Sequence, residues 1–451
     1  MESCTRAALS VPTVLLPAEN IDLARWAVIA CDQFTSEPEY WEQVSRFVGD
    51  SPSTLNMIFP EVFLGQAGEE ARITAIREAM RSYLAQGVFR EVEGLIYVER
   101  QAGRFKRRGL LACLDLEAYD YTPGSTSLIR ASEGTILERL PPRIKIREGA
   151  PLELPHIMVL FDDPEDSVLG PLTARRKDLE KLYDFELMMN SGRLEGFRVG
   201  NRSLEKSVIP ALENLAAEDR FRARYGLPAE TPVLLFAMGD GNHSLATAKA
   251  IWEKAKSLSP DNIRTESSPL RYALAELVNL HDPAMVFEPI HRVVFGLGPG
   301  RGLMEEWADS RPSGDVFFRR LSSLEEMKGL VNGQNGRPHK IGLIREEGFG
   351  LAEIGKPDFN LPVGTLQAFL DLFLKDRGAR GVDYVHGDES LAELGRRPGN
   401  LGFYLPAMAK HDLFRTIILD GVLPRKTFSM GEAREKRFYM EARRISEQEE
   451  A

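Results

Sequence analysis

The segment Leu234–Lys256, LLFAMGDGNHSLATAKAIWEKAK, constrains the fold more than any other part of the chain. Its apolar start predicts a strand that is buried on both faces, as a central strand is. From Leu245 onward, apolar residues recur on one face of a helix. Only Gly-Asp-Gly-Asn-His separates the two patterns. The segment therefore predicts a buried strand, a tight turn and a helix in direct succession.

The backbone of this turn suits a bound anion. Gly239 and Gly241 permit backbone angles that other residues resist, and they let a ligand approach closely. Asn242 or Ser244 can cap the new helix. The exposed N–H groups of a first helical turn carry partial positive charge and suit a phosphate or a carboxylate. We therefore assign phosphate binding to these four residues.

Two further side chains of the turn can take part in chemistry. Asp240 can hold a metal ion or activate a hydroxyl group, and His243 can donate to a phosphoryl oxygen or move a proton. The alternative is a plain tight turn, capped by Asn242, in which His243 only satisfies its own hydrogen bonds. Because acid, amide and imidazole are concentrated in one turn, we favour a functional site.

Length, charge and cysteine usage restrict the class of protein. A chain of 451 residues is long enough for two or three structural units, and its net charge of −10 argues against a general nucleic-acid binder. No apolar run reaches the roughly 18 residues that span a membrane. Three cysteines, without metal-site spacing, fit a reducing compartment. We expect a soluble cytoplasmic protein that binds neither nucleic acid nor membrane; its oligomeric state stays open.

Strand-like and helix-like segments alternate without strict order, which predicts a mixed α/β (α+β) fold with a central mixed sheet and flanking helices. The predicted strands are Ala27–Cys31, Gly94–Val98, Leu110–Leu114, Ile157–Phe161, Val233–Met238 and Met285–Phe287. The predicted helices are Ala71–Gln86, Leu172–Met189, Ser203–Tyr225, Leu245–Ser257, Leu270–Leu280 and Thr365–Arg377.

The glycine-rich segment Gly296–Gly302, GLGPGRG, is the candidate domain boundary. Its glycine spacing does not match a dinucleotide-binding loop, so we interpret it as a flexible connection. The prediction is a main α/β domain at residues 1–300 that carries the site, and a second mixed α/β region at 301–451 that packs on it. The charge-rich stretch Arg425–Ala451 predicts a surface strand followed by a helix.

Several motifs together identify a family. They are WAVIACDQFTSEPEYW near the start, IRASEGT, PHIMVLFDDPE, GDGNHSLATAK, EPIHRVV, VDYVHG and LPRKTF, in that order along nearly the whole chain. In these motifs the sequence closely resembles the bacterial and archaeal family catalogued as domain of unknown function 1015. The family name itself implies no activity.

The turn adds a second resemblance. Many members of that family have Asp-Gly-His-His-Arg at this place, which is similar to the phosphate loop of the ParB/sulfiredoxin superfamily. That superfamily includes nucleotide-hydrolysing partition proteins, ATP-using sulfiredoxins and kinases of free serine. The resemblance implies a ParB/sulfiredoxin-like element that holds a phosphate of ATP or ADP on Gly241–Ser244. Ser244 stands where the superfamily usually has arginine, so another basic residue must replace that contact, or the loop no longer handles a nucleotide.

The segment IRASEGTILERLPPRIKIR contributes further candidates. Glu133 can act as general base for an alcohol, and Arg130 and Arg143 can bind phosphate through paired donors. The alternative is a solvated loop with ordinary salt bridges. We assign a catalytic role to Glu133 and phosphate binding to the two arginines.

The segment FDDPE ends an apolar strand with two acids. Strand ends are where α/β proteins place acids that bind ligands, so Asp163 is a candidate magnesium ligand beside Asp240. Adjacent acids in a strand point to opposite faces, so at most one of Asp162 and Asp163 faces a given site. A plain turn before Pro164 is the alternative.

Two segments in the last third of the chain are candidates for substrate binding. EPIHRVV contributes His291 and Arg292, which as neighbours in a strand we expect to lie on opposite faces, one of them at an edge or on the surface. LPRKTF contributes Lys426 as a partner for an anion. A core histidine and a charged strand end are the alternatives.

Taken together, these features predict an enzyme that moves a phosphoryl group on a small hydroxylated metabolite. We expect the site to gather the Asp240–Ser244 turn, the Glu133 loop and the His291 strand. A nucleotide-dependent kinase of free serine, with ATP or ADP and Mg²⁺ bridging the phosphates, is the most concrete version. A phosphatase acting on a phosphorylated amino acid such as phosphoserine, and a regulatory protein that binds nucleotide without turnover, are the alternatives.

Overall fold

The computed structural model describes residues 3–4, 6–200, 202–258, 268–297, 302–311, 315–334, 336–376 and 379–446. Its helices are α1 Leu23–Trp26, α2 Pro38–Val48, α3 Glu69–Ala85, α4 Leu140–Arg147, α5 Gly170–Ala174, α6 Arg202–Leu215, α7 Glu218–Tyr225, α8 Asn242–Leu258, α9 Leu303–Asp309, α10 Leu324–Asn332, α11 Pro362–Asp376, α12 Asp388–Gly395 and α13 Lys410–Asp420. In this described part of the chain, no helix combines the length and the apolar character needed to cross a membrane.

The strands are numbered in chain order. They are β1 Ser3–Cys4, β2 Leu9–Ser10, β3 Thr13–Pro17, β4 Val28–Ile29, β5 Phe89–Glu93, β6 Leu95–Ala102, β7 Phe105–Asp115, β8 Tyr119–Asp120, β9 Ile129–Arg130, β10 Leu152–Glu153, β11 Met158–Phe161, β12 Glu180–Glu186, β13 Arg193–Val199, β14 Phe236–Asp240, β15 Tyr272–Asn279, β16 Phe287–Phe295, β17 Val316–Leu321, β18 His339–Arg345, β19 Gly348–Ile354, β20 Gly381–His386, β21 Leu401–Tyr404, β22 Phe428–Met430, β23 Phe438–Tyr439 and β24 Arg443–Arg444.

The chain divides into two compact units. The first consists of residues 1–285 and 432–451, and the second of residues 286–431. The sequence-based boundary after residue 300 differs from this division. β16 precedes that boundary, but it pairs with β20, β21 and β22, which all follow it in the chain, so β16 belongs to the second unit. Most of the predicted connection GLGPGRG lies outside the described residues.

The first unit is built on one large mixed sheet, in the strand order β12-β13-β6-β7-β15-β11-β14-β9-β8. Most neighbours are antiparallel, whereas β11 and β15, β14 and β9, and β8 and β9 are parallel pairs. A mixed sheet with flanking helices confirms the predicted α/β fold class.

The strand before the turn is central, as its apolar sequence predicts. β14 lies between β11 and β9, and its first three residues are fully buried. Its register with antiparallel β11 pairs Met158 with Asp240. The segment that enters β11, which contains His156, therefore lies beside the end of β14. This register places His156 next to the turn.

Two of the predicted helices were wrong. Leu270–Leu280 is rich in strong helix formers, yet it contains β15, whose eight residues are all buried between β7 and β11. Leu172–Met189 contains only the end of the short helix α5, and β12 follows at Glu180–Glu186 as the edge strand beside β13. In both segments, tertiary context outweighs local helix propensity.

The second unit has its own sheet, in the order β17-β19-β18-β21-β16-β20, with β22 paired to the start of β16. The first strand of this unit pairs with its last, since Phe287 lies opposite Met430. Its chain entry and exit are therefore adjacent. Buried apolar residues from the sheet and from α10 and α12 form one of its core clusters.

The last residues return to the core of the first unit. A short, half-exposed strand, β22, follows Arg425 as predicted, but the predicted helix was wrong for the described residues up to 446, where β23 pairs with β4 and β24 pairs with β10. Arg437 is 6% exposed, and its guanidinium lies 2.5 Å from Glu276 and 2.6 Å from Glu441. Charges that look solvated in the sequence are thus paired inside the fold.

Candidate functional site

The turn after β14 requires glycine for reasons of packing. Gly241 has a φ of +74°, in the left-handed region, and a Cβ there would lie 3.0 Å from Cα of Ile157. A Cβ at Gly239 would lie 3.0 Å from Cγ of Leu160. Both glycines are therefore explained by the close approach of β11, whether or not a ligand is bound.

The helix that follows presents unpaired amides. α8 begins at Asn242, and the amides of Ser244 and Leu245 both donate to the carbonyl oxygen of Gly241, at 3.0 and 3.1 Å. The amides of Asn242 and His243 precede the first possible intrahelical bond, as at every helix start. A helix of 17 residues therefore directs its positive dipole end at this turn.

Asn242 ties the turn to the Glu133 loop. Its side-chain amide nitrogen donates to the carbonyl oxygen of Glu133 at 3.2 Å and to Oγ1 of Thr135 at 3.3 Å. Its Oδ1 is buried and has no hydrogen-bond partner. The expected capping by Asn242 or Ser244 was wrong, because these side chains contact the Glu133 loop and His156 instead.

Asp240 is paired with a lysine from the end of the chain. Its Oδ2 lies 3.1 Å from Nζ of Lys436, and its Oδ1 accepts from the amide of Gly241 at 2.9 Å. Burial opposes ionisation, but the Lys436 ammonium and the Gly241 amide outweigh it and lower the pKa of Asp240 below its usual value. Asp240 is therefore ionised at neutral pH.

His243 is a neutral imidazole. Burial, helped by the positive charges of Arg143 and Arg139, lowers the pKa of His243 to about 4. Its Nε2 accepts from the amide of Ile136 at 3.4 Å. In the neutral ring the proton is then on Nδ1, so His243 has one N–H donor to offer.

Arg143 lies on α4 and is held in place by two contacts. It forms an ion pair with Glu61 and donates to the carbonyl oxygen of Arg139 at 2.8 Å. Burial raises the pKa of Glu61 above its usual value in spite of this pair. Arg143 and Arg139 both act electrostatically on His243, which places two cations next to the turn.

His156 contacts the turn, and the sequence analysis did not identify it as a candidate. Its Nε2 lies 3.2 Å from Oγ of Ser244, and its Nδ1 lies 2.7 Å from the hydroxyl oxygen of Tyr439. The only sequence signal was a histidine directly before the buried strand β11. A cavity of about 140 Å³ opens here, lined among others by Cys31, Arg143, His156, Ser244 and Tyr439.

Two predicted residues of the first unit serve its internal structure. The buried guanidinium of Arg130 donates to the carbonyl oxygens of Ser127, Pro232 and Val233, at 2.7 to 3.2 Å. Burial lowers the pKa of Arg130 to about 10. The donors of Arg130 therefore hold neighbouring backbone.

Asp163 is likewise used by its own loop. The residue is fully buried, and its carboxylate accepts from the hydroxyl of Ser167 at 3.1 Å and from the amide of Val168 at 2.9 Å. Among the described residues, no group of three histidine, cysteine or acidic side chains could hold a metal ion. The donors around Asp240 and Asp163 therefore do not fit a metal held by the protein alone.

The family resemblance is confirmed over most of the chain. The sequence model of the family described as "Protein of unknown function (DUF1015)" matches residues 15–373. The chain belongs to the DUF1015 family. No curated protein matches it.

Solved structures with some likeness to this DUF1015 chain include a conserved hypothetical protein from Pyrococcus furiosus, 10% identical, with a TM-score of 0.34, covering 71% of this chain and 89% of that one. Another is a mutant free serine kinase in complex with ADP, 9% identical, with a TM-score of 0.36, covering 69% of this chain and 88% of that one. The same kind of kinase in complex with AMP covers 71% and 86%, with a TM-score of 0.36 and 9% identity. These scores are too low to support an inference about activity.

The predicted substrate residues of the DUF1015 chain belong to its second unit. His291 is fully buried; its Nδ1 accepts from the amide of Leu405 at 3.1 Å, and its ring stacks on Tyr404. Burial lowers the pKa of His291 to about 4 in spite of the Asp388 carboxylate 3.3 Å away. His291 is therefore neutral inside the core of that unit.

Arg292 is buried as well. The expectation that either His291 or Arg292 lies at an edge or on the surface was therefore wrong. Its guanidinium donates to the carbonyl oxygen of Arg425 at 2.9 Å and to the side chain of Gln367 at 3.3 Å. Lys426 is exposed and has a left-handed φ of +55°. Arg292 thus holds the loop that presents Lys426.

The second unit also contains a larger cavity, of about 1000 Å³, which the sequence analysis did not predict. Its walls come from α13, from residues 334 and 336–337, and from the loops around 358–363 and 405–409. His291, Arg292 and Lys426 do not line it. Its lining residues are too far apart in sequence to form a motif.

Proposed function

We propose that this protein transfers a phosphoryl group from ATP or ADP to the hydroxyl group of a small metabolite. The donor phosphates bind at the turn between β14 and α8, and free serine is the acceptor that we propose first. The observation that supports this most is the convergence of three cations, Arg139, Arg143 and Lys436, on one helix start.

Phosphoryl transfer needs positioning and neutralisation of charge more than covalent chemistry from the protein. The amides that open α8 offer donors to phosphate oxygens. Lys436 forms an ion pair with Asp240, with 3.1 Å between Nζ and Oδ2, so its positive charge lies beside the turn. We assign to it the phosphate contact that Ser244 cannot make where the superfamily has arginine.

We assign roles to three further groups, Glu133, Asp240 and His243. The Glu133 loop is fastened to Asn242 through the backbone carbonyl of Glu133, and we assign to the Glu133 carboxylate the role of the group that takes the hydroxyl proton. Asp240 stays ionised and orients Lys436. The Nδ1–H of neutral His243 donates to a phosphoryl oxygen.

Magnesium fits this proposal only as the counter-ion of the nucleotide. The described residues hold no cluster that would bind it alone, so the protein's own contribution rests on its amides and cations. Bound in that way, Mg²⁺ would add neutralising charge to the phosphates.

The test combines binding with product analysis. We expect ATP or ADP with Mg²⁺ to raise the melting temperature by a few degrees at a hundredfold excess over Kd, equivalent to about 2.7 kcal/mol, and AMP to do so less. Added free serine should yield phosphoserine. Phosphate release from phosphoserine without any stabilisation by nucleotide would replace the kinase with the phosphatase. Stabilisation without product from a panel of hydroxylated metabolites would leave a nucleotide sensor.

A further inference from the structure

Ser244 lies at one end of a chain of hydrogen bonds that runs into the core of the first unit. Its hydroxyl oxygen lies 3.2 Å from Nε2 of His156. Nδ1 of His156 lies 2.7 Å from the hydroxyl oxygen of Tyr439, and this hydroxyl donates to Sγ of Cys31 at 3.1 Å. A serine, an imidazole, a phenol and a thiol thus follow one another in contact.

The contacts of Tyr439 fix the direction of this chain. A phenol has one proton, which Tyr439 donates to the Cys31 sulfur, and its oxygen also accepts from the Cys31 amide at 3.3 Å. Burial raises the pKa of both Tyr439 and Cys31, so both groups keep their protons. With Tyr439 donating to Cys31, Nδ1 of His156 donates to Tyr439, and in the neutral imidazole Nε2 accepts from Ser244.

The surroundings of His156 suit a base that becomes charged. The imidazole is 6% exposed, and it packs edge-on against the Tyr439 ring, with centroids 5.6 Å apart. A carboxylate oxygen of Asp32 lies 3.7 Å from Nε2. The same imidazole and Ser244 line the 140 Å³ cavity, so their contact borders on open space.

We propose that Ser244 is a nucleophile, that His156 is its general base, and that Tyr439 is a positioning residue for His156. A nucleophile hydrogen-bonded to a base that a third group orients is the arrangement by which unreactive hydroxyls are activated.

The chemical step rests on the phosphoryl transfer proposed above. Oγ of Ser244 attacks the terminal phosphorus of the nucleotide, the Oγ–P bond forms, and the bond from phosphorus to the bridging oxygen breaks, leaving its electron pair on the nucleotide. The Oγ proton moves to Nε2 of His156. In the second step the metabolite hydroxyl attacks phosphorus and loses its proton to Glu133, and His156 returns its proton to Oγ as the Oγ–P bond breaks.

The nucleophile can be tested without knowing the substrate. A fluorophosphonate probe reacts with activated serines: the Oγ–P bond forms, the P–F bond breaks and fluoride leaves. We expect one label per full-length chain, located on Ser244 by peptide mass spectrometry. Ser244→Ala should abolish it, and His156→Gln should slow labelling by roughly 10²- to 10⁴-fold, the usual contribution of a general base. Ser257→Ala removes an exposed serine of the same helix and should label like the wild type.

The role of Tyr439 needs a measurement that a structural role would not change. Tyr439→Phe should slow labelling, and the ring-nitrogen chemical shifts of His156 should change from one tautomer, protonated at Nδ1, to a mixture. Unchanged shifts with an unchanged labelling rate would overturn the positioning role. Because nitrogen shifts are read on the folded protein, a poorly folded variant is recognised directly.

The stereochemical course separates this inference from the proposed function. With a nucleotide whose terminal phosphorus is chiral through oxygen isotopes, two successive displacements retain the configuration, whereas direct transfer inverts it. Retention, with labelling of Ser244, supports the inference. Inversion, or full transfer by Ser244→Ala, overturns it and leaves the kinase intact. Labelling of Ser244 in a protein that neither binds nor turns over nucleotide would overturn both the phosphoryl step and the proposed function.

Discussion

Lys436 shows how the site depends on single residues that are remote in sequence. Its Nζ lies 3.1 Å from the carboxylate of Asp240, although the two residues are far apart in the sequence. Lys436→Met should weaken the binding of ATP at least tenfold, about 1.4 kcal/mol, because one of three cations beside the phosphates is lost. Isothermal titration calorimetry at low ionic strength measures this directly.

The control is Lys177→Met, which removes an exposed lysine of the same unit and should leave the affinity unchanged. Equal losses of ATP affinity in the two variants would mean that ATP binding depends on the net charge of the surface and not on a contact with Lys436. No loss in Lys436→Met would remove this residue from the phosphate site.

Asp240 makes a prediction about pH. Because its pKa is lower in the folded protein, its ion pair stabilises the fold above its unfolded pKa of about 3.9, and that contribution is lost as the pH falls through the folded value. The free energy of unfolding of the wild type should exceed that of Asp240→Asn by about 1 kcal/mol from pH 7 to 5, and the difference should shrink below about pH 4. Urea unfolding at each pH measures it; a difference that grows on acidification would contradict the pairing.

The sequence alone could identify the turn but not its partners. Asp240 and His243 stand together between an apolar run and a helical pattern, which is a local signal. Lys436 and His156 reach the turn only because strand register and the returning C-terminal segment bring them there. Long-range pairing of this kind leaves no periodicity in one sequence, so these contacts could not be predicted.

At the scale of elements, the turn between β14 and α8 is a backbone requirement. Gly241→Ala combines a left-handed φ of +74° with a Cβ contact of 3.0 Å to Ile157, whereas Gly226→Ala combines a similar φ of +63° with open space. We expect Gly226→Ala to cost about 1 kcal/mol and Gly241→Ala clearly more. Chemical denaturation of both variants measures the free energy of unfolding. Equal losses would show that the backbone at Ile157 moves away from the added Cβ without strain.

The segments β23 and β24 make a prediction about the core. Arg437→Met removes the cation paired with the buried Glu441 and leaves the buried Glu276 with Arg107 alone, which should lower the free energy of unfolding by about 3–5 kcal/mol. Arg193→Met, which removes an exposed arginine paired with Asp184, should cost less than about 1 kcal/mol. Adding Glu276→Gln to Arg437→Met should restore part of the loss. Similar costs for the two single variants would mean that water reaches the buried pair.

Elements were predicted well where the pattern was local and strong. The sequence located α3, α8 and α11, because long amphipathic helices repeat their signal over several turns. β15 was assigned to a helix because alanine, leucine and glutamate favour helices, while burial on both faces removes the alternation that marks a strand. Only its neighbours β7 and β11 decide its conformation.

At the scale of the whole molecule, the second unit interrupts the first in sequence. Its entry and exit strands pair through Phe287 and Met430, and the residues after 431 return to the first unit. No change of composition marks the start of this insertion, and the glycine-rich segment that suggested a boundary follows β16 instead of preceding it. A discontinuous unit is defined by pairings across long distances, so the sequence alone could not delimit it.

Backbone amide hydrogen exchange with and without ATP reports on the amides at the start of α8, where we propose that the nucleotide phosphates bind. We expect slower exchange in peptides that cover Phe236–Leu258 and Leu140–Arg147 when ATP is bound, and a smaller effect with AMP. Lys436→Met should reduce this protection at equal ATP concentration. Unchanged exchange in these peptides under saturating ATP, or protection confined to residues 286–431, would contradict the proposed phosphate site.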